Sequence, residues 1–289
     1  MPREILARTV LSRVRGPDEW FGLGYSMNLY RGCQHGCIYC DSRSECYRID
    51  DFTNIQVKVN AVEVLRRELA TRRRRAVIGT GSMHDPYMPL EAEVGLTRRA
   101  LEAIADHGFP AHVITKSDLV LRDADVIGRI GRVYAAVSLT VTTTDDALAR
   151  KVEPHAPPPS ARFAAIRRLA DAGIIAGVVM MPLLPYIEDN EASVAAIVDS
   201  AADAGARYVI PAFGVTLRDR QRDWYYAQLE RLFPGLRERY ETRYGDRYSC
   251  PVPGAARLER GFRARCAEAG LATRIPAFDA DAGGQQRLF

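Results

Sequence analysis

Between residues 25 and 211, short apolar runs alternate with longer stretches in which apolar side chains recur every three or four positions. The first kind reads as buried strand, the second as amphipathic helix. Strands are predicted over 25–30, 76–80, 112–115, 133–141, 174–181 and 208–211. Helices are predicted over 59–73, 92–107, 124–130, 160–172 and 191–204. Val62, Leu65 and Leu69 share one face of the first, and Phe163, Ile166 and Leu169 recur at helical spacing in the fourth. Gly108, Gly173 and Gly205 close three of these helices, the usual place for a residue that tolerates a left-handed backbone. Such alternation implies βαβ units and a parallel sheet. Six units are too few for a complete eightfold barrel, so an open partial barrel and a doubly wound sheet both fit.

The pattern divides the chain into an N-terminal arm (1–24), a core (25–215) and a C-terminal extension (216–289) that ends in a short tail. Within the extension, 224–248 mixes Arg, Tyr and Glu, and 255–268 reads as a further helix. The mixture suits either base stacking and phosphate contact or an amphipathic cover over the barrel's open side.

With 289 residues and 47% hydrophobic content, a sizeable core can form. The longest apolar candidate, 173–184, is interrupted by Gly177 and Pro182 and is too short to span a bilayer. No secretory core opens the sequence, and a cytoplasmic location is expected. The net charge of +4, from 40 basic and 36 acidic residues, permits a nucleic-acid partner without demanding one. The basic run Arg72 to Arg75 reads as a solvated helix end.

Three of the six cysteines crowd into one short loop, Arg31-Gly-Cys-Gln-His-Gly-Cys-Ile-Tyr-Cys-Asp41. A disulfide framework spreads its cysteines more evenly, so Cys33, Cys37 and Cys40 read as metal ligands. Thiolates suit iron–sulfur clusters and zinc. Three of them on a four-iron cubane leave one iron open, the mark of a catalytic metal. Gly32 and Gly36 let the loop wrap tightly. Zinc held by the same thiols with His35 or Cys46 is the main alternative, and buried cysteines without metal are another.

The loop matches the CxxxCxΦC signature, with Tyr39 at the aromatic position, and so resembles the radical S-adenosylmethionine (SAM) superfamily. The resemblance implies a partial (β/α)6 TIM-like barrel and a [4Fe–4S] cluster on Cys33, Cys37 and Cys40. It also implies SAM on the open iron and an external reductant of the flavodoxin or ferredoxin type. Gly79-Thr-Gly-Ser-Met-His-Asp-Pro-Tyr87, Thr115-Lys-Ser117, Ser138-Leu-Thr140 and Glu153-Pro154 followed by Arg162 resemble the spore photoproduct lyase-like branch. In an α/β barrel the site lies at the C-terminal ends of the strands. That rule alone selects Thr80, Gly81, Ser82, Lys116, Ser138 and Thr140. The resemblance gives Lys116 and Ser82 to the SAM carboxylate end, Ser138 or Thr140 to its ribose, and Tyr39 to its adenine. Glu153 either pairs with Arg162 or contacts SAM or substrate.

His84, Asp85 and Tyr87 follow the second strand and are expected to line the pocket as substrate or catalytic residues. The branch carries a hydrogen-donor cysteine just after that strand; residues 79–82 have none, so the same lesion chemistry is in doubt. Cys46 is the candidate replacement. At the C-terminus, Gln285, Leu288 and Phe289 resemble the pentapeptide that binds the bacterial DNA sliding clamp, with Gln286 in place of its apolar second residue. The expected function is radical SAM catalysis on a substrate that includes nucleic acid among its candidates, in repair or modification of DNA. A radical modifier of a peptide or small molecule, and a non-catalytic metal-binding protein tethered to the clamp, are the alternatives.

Overall fold

The computed structural model describes residues 2–52, 54–81 and 83–279. Six strands, β1 (Tyr25–Met27), β2 (Ile78–Thr80), β3 (Ala111–Thr115), β4 (Ala135–Thr140), β5 (Ile175–Met180) and β6 (Val209–Pro211), form one parallel sheet in chain order. Strands β1 and β6 do not pair, so the barrel stays open. Helices α1 (Ala61–Thr71), α2 (Leu96–Asp106), α3 (Ala124–Ile130), α4 (Pro159–Asp171) and α5 (Glu191–Asp203) make the crossovers. This is the expected partial (β/α)6 barrel. Every residue of β4 is buried, because a parallel strand packed between helices and a filled interior has no solvent face.

The barrel interior carries a polar layer at mid-height. The His112 Nε2 and the Tyr208 hydroxyl each lie 2.8 Å from Ser138 Oγ. Gly177 makes room for this layer: a Cβ there would come within 2.4 Å of the Tyr208 ring. Burial holds the His112 imidazole neutral by pushing its pKa down to about 3.

The arm is tied into the fold. Strand Leu11–Arg13 pairs antiparallel with β1, and Glu68 on α1 accepts the backbone N–H groups of Val10 and Leu11. The expected strand 25–30 is two: after β1 the chain turns away, and Tyr30–Arg31 joins Arg3–Ile5 and Gln56–Lys58 in a separate small sheet. The expected helix 92–107 breaks at Gly95, whose φ of 63° interrupts the helical backbone. A helix at Asp146–Val152 was not anticipated; its signal was Asp145, whose carboxylate accepts the N–H groups of Ala147 and Leu148.

The C-terminal extension contains α6 (Asp219–Leu232), α7 (Leu236–Tyr244) and α8 (Ala255–Glu268), with Gly214–Thr216 and Ser249–Pro251 as a two-stranded sheet. Tyr225, Tyr226, Tyr240 and Tyr244 are buried together with Cys37, Ile38 and Tyr39 in a second apolar cluster. The Arg–Tyr mixture of 224–248 therefore covers the cysteine loop, and these four tyrosines are not available for stacking on bases. Among the described residues, no helix is long and apolar enough to cross a membrane.

Candidate active site

The cysteine loop follows β1 and closes over the C-terminal ends of the strands. Two backbone bonds stitch it to the segment after the Asp146–Val152 helix: Ile38 N–H to Val152 O at 2.9 Å and His155 N–H to His35 O at 3.1 Å. Gly32 (φ 89°) and Gly36 (φ 70°) take the left-handed backbone the wrap requires. At Gly36 a Cβ would press to 3.0 Å from the His155 ring. From the other side, the Gln221 side chain donates to Tyr39 O at 3.1 Å, and Arg218 donates two hydrogen bonds to the Asp41 carboxylate.

Cys33, Cys37 and Cys40 line one cavity of about 490 Å³ together with Tyr39, Gly81, His84, Asp85, Lys116 and Thr140. Burial pushes the Cys33 thiol up to about 12, with Asp85 and Cys40 adding to the rise. Burial likewise raises Cys37, against the pull of Lys116. Thiols crowded in this way carry negative charge only beside a cation, which is the environment that a soft metal supplies. The site fits a cubane with three protein ligands. It fits zinc poorly. His35 is already engaged, its Nε2 3.2 Å from Asp85 and its Nδ1 3.4 Å from His155 O. Cys46 is exposed and rests 3.0 Å from Ser44 Oγ. No group of three or more His, Cys, Asp or Glu among the described residues is arranged around a single ion.

Asp85 links the cysteine loop to the strand ends. It accepts hydrogen bonds from Thr115 Oγ1 (2.5 Å), Lys116 N–H (2.7 Å) and Tyr87 N–H (2.9 Å) and contacts His35. Burial alone would raise its carboxyl, but His35 and these donors outweigh burial and hold it well below the usual carboxylate range. Lys116 Nζ lies 3.9 Å from Glu153 and 5.7 Å from the Tyr39 ring centroid. Burial works against its charge, yet Cys37, Glu153 and Asp85 keep it firmly protonated. It is thus a fixed cation on the wall that carries the thiols. Burial lowers His84 to about 3, and its buried Nδ1 has no hydrogen-bond partner among the described residues.

Several expected site residues stand elsewhere. Ser138 lies two residues below Thr140, in the buried layer with His112 and Tyr208, and is not part of the cavity wall. Thr80 is buried, with its hydroxyl oriented to Ile114 N–H at 3.4 Å. Tyr87 is fully buried and donates to Asp123 at 3.0 Å, away from the cavity. Cys46 is carried to the surface by the short turn Glu45–Tyr47 and does not reach the cavity. Glu153 and Arg162 form a fully buried pair at 2.5 Å behind the wall. Arg162 also donates to Thr140 O and Pro157 O, and Glu153 accepts from the Tyr39 hydroxyl. They position the wall and are not exposed to its contents. Ser82 and the segment from Gln285 to Phe289 lie outside the described residues.

The sequence reading missed Trp20, Met83, Met181 and the edge strand Gly214–Thr216, all of which line the cavity. Trp20 had a signal in hindsight: Asp18 accepts the N–H groups of Trp20, Phe21 and Leu23 and so folds the arm into a compact turn. Among the described residues, Cys33, Cys37 and Cys40 are the only thiols lining the cavity.

Several known proteins are similar to this chain. An uncharacterized protein of Mycobacterium tuberculosis is 33% identical over 249 residues, covering 83% of this chain and 73% of the relative. A phage protein described as a radical SAM Nalpha-GlyT isomerase, from Pseudomonas phage M6, is 26% identical over 69% of this chain and 40% of its own length. Spore photoproduct lyase complexed with dinucleoside spore photoproduct superposes with a TM-score of 0.70 at 18% identity, covering 93% of this chain and 80% of the other, a likeness of fold. The methyltransferase TsrM of Kitasatospora setae, in a structure with cobalamin and a [4Fe–4S] cluster bound, gives a TM-score of 0.59 at 14% identity over 90% of this chain and 55% of its own. The family model of the radical SAM superfamily matches residues 27–197, from β1 through most of α5. The open parallel barrel and the three-cysteine loop over its strand ends thus go with that match, and the chain belongs to the radical SAM superfamily.

Proposed function

We propose that this protein holds a [4Fe–4S] cluster on Cys33, Cys37 and Cys40, binds SAM in the adjoining cavity, and abstracts hydrogen from a nucleic-acid substrate. When bound, the cluster and SAM together supply a 5′-deoxyadenosyl radical, formed with one electron from a flavodoxin- or ferredoxin-type reductant. The chain's own residues do the rest. Lys116 offers a permanent positive charge to an anionic group such as a carboxylate. Tyr39, with its hydroxyl held by Glu153, presents a fixed aromatic face at the same wall. Thr140 and the unpartnered Nδ1 of His84 provide polar contacts, and Trp20, Met83 and Met181 provide an apolar rim that excludes water.

The observation that carries this reading is the sharing of one cavity by three thiols, a partly buried lysine and the C-terminal ends of the strands. The choice of nucleic acid is supported by the fold-level likeness to a lyase seen with a dinucleoside. Because no further thiol lines the cavity among the described residues, hydrogen return to product through a cysteine of this chain is not part of the proposal.

Anaerobic reconstitution tests it. About four irons and four sulfides per chain are expected. 5′-Deoxyadenosine should form after reduction with SAM, and damaged DNA or RNA should stimulate it. Zinc without visible absorbance, or no 5′-deoxyadenosine under any reductant, overturns the reading. Stimulation by peptide extract alone would favour a peptide modifier instead.

A further inference from the structure

A second hollow of about 390 Å³ lies beside the cluster cavity and is lined by Arg8, Arg31, Lys58, Tyr30 and Tyr47, with Met83 facing both spaces. Three cationic side chains line it, and among the described residues no carboxylate does. Two of the cations are held in place by neutral partners. Lys58 Nζ donates to Asn28 O at 2.6 Å, and Arg31 donates to Tyr47 O at 3.0 Å and Arg48 O at 2.7 Å. Both are thereby preorganised while their charges stay unneutralised. The carboxylate that Lys58 feels is Glu68, which is occupied by the N–H groups of Val10 and Leu11. Partial burial and the neighbouring Arg31 lower the Lys58 amine below its ordinary value, so an anion in the hollow would relieve both strains. Met83 lines both spaces, and Tyr30 of the hollow packs edge-on against His84 of the cavity at 5.4 Å.

We propose that Arg8, Arg31 and Lys58 form a phosphate-binding subsite that holds a phosphodiester of the substrate next to the cavity in which hydrogen is abstracted. The proposal deepens the nucleic-acid reading above and rests on it for the identity of the substrate. Hydrogen bonds from fixed cations to phosphate are short and strong, and they set position without reading sequence. The small sheet of Arg3–Ile5, Gln56–Lys58 and Tyr30–Arg31 thereby acquires a role: it brings residues from three separate parts of the chain to one anion site.

The full-length chain is titrated with a labelled thymidine oligonucleotide, its uncharged methylphosphonate analogue, and inorganic tripolyphosphate, across a salt series. The wild type should bind the oligonucleotide and not the methylphosphonate. The double variant R8Q/K58Q should bind it roughly tenfold or more weakly, with a salt slope shallower by about 1.4, since each single-strand phosphate contact contributes about 0.7. Arg8 is exposed on the arm, so R8E alone gives a second variant with no threat to folding, and SAM binding serves as the control for an intact cavity. Equal salt slopes and affinities for wild type, R8E and R8Q/K58Q overturn the subsite. If the oligonucleotide still stimulates 5′-deoxyadenosine equally in all three, the nucleic-acid reading survives that loss. If tripolyphosphate binds in a manner that depends on Arg8 and Lys58 while no oligonucleotide binds or stimulates turnover, the anion site stands and the nucleic-acid reading fails.

Discussion

The amide of Gln221 donates to the main-chain oxygen of Tyr39 at 3.1 Å, joining α6 to the cysteine loop across 182 positions of sequence. The same amide serves Thr216 O, and its oxygen accepts the N–H of Arg218. Gln221→Ala strands these groups in a buried region and should cost about 1–3 kcal/mol. Because one stranded group belongs to the loop itself, iron should be lost to a chelator faster than from the wild type. Thermal denaturation and the bleaching rate of the visible absorbance measure the two effects; an unchanged bleaching rate would show that α6 does not brace the loop.

Glu153 and Arg162 are each only about 1–2% exposed. Removing Arg162 leaves the buried Glu153 carboxylate with only the more distant Lys116, at 3.9 Å, as a counter-charge, at a cost approaching that of a broken buried pair, about 3–5 kcal/mol. Arg162→Met should therefore destabilise strongly, and pairing it with Glu153→Gln should recover part of the loss. Urea midpoints for the two single variants and the double variant decide whether the recovery occurs.

Glu188 predicts a pH dependence. It accepts hydrogen bonds from Thr142 Oγ1 (2.7 Å) and Leu184 N–H (3.0 Å), but burial dominates and pushes its carboxyl up to about 8 from 4.5. Between those values the folded chain keeps a proton that the unfolded chain releases. This contribution to stability is complete below pH 4.5 and declines as the pH rises to 8, by about 1.4 kcal/mol per pH unit. Glu188→Gln should flatten the melting temperature between pH 5 and 8 and exceed the wild type above pH 8. Parallel curves would remove the assignment.

Cys33→Ala, Cys37→Ala and Cys40→Ala should each abolish retention of iron. Cys46→Ser should leave the iron content at wild-type level, since that thiol is exposed and outside the cavity. Iron and sulfide analysis after reconstitution settles both statements. Loss of iron in the Cys46 variant would bring that residue back as a ligand.

Lys116→Met should weaken SAM binding by about 10- to 100-fold, the range for losing one hydrogen bond to a charged group. Equilibrium dialysis on the reconstituted protein provides the value, and unaltered affinity would move the carboxylate contact away from Lys116.

The order of strands and helices was legible because each crossover carries its own periodicity and most helices end at a glycine. The cysteine loop was legible because its three cysteines fall within eight residues. Depth was not. Ser138 and Thr140 share a face of β4, and nothing local says that the first lies in the sealed layer and the second in the wall. Partnerships across long separations were also hidden. Asp85 meets Thr115 and His35 only once β2, β3 and the loop converge. Tyr87 looked like a pocket residue by its place after β2, but its hydroxyl turns to Asp123, a partner 36 residues away.

His112, Ser138 and Tyr208, all fully buried, form their polar layer at mid-height of the barrel, apart from the cavity that the cysteine loop lines. Trp20, half-exposed, and the cysteine loop both line that cavity. On the function proposed above, a polymer lying across the cavity would cover any smaller molecule already inside, which orders loading with the nucleoside sulfonium first and the macromolecule second. On the same proposal, spent fragments would leave only after the polymer lifts away, and turnover would follow the rate of that departure.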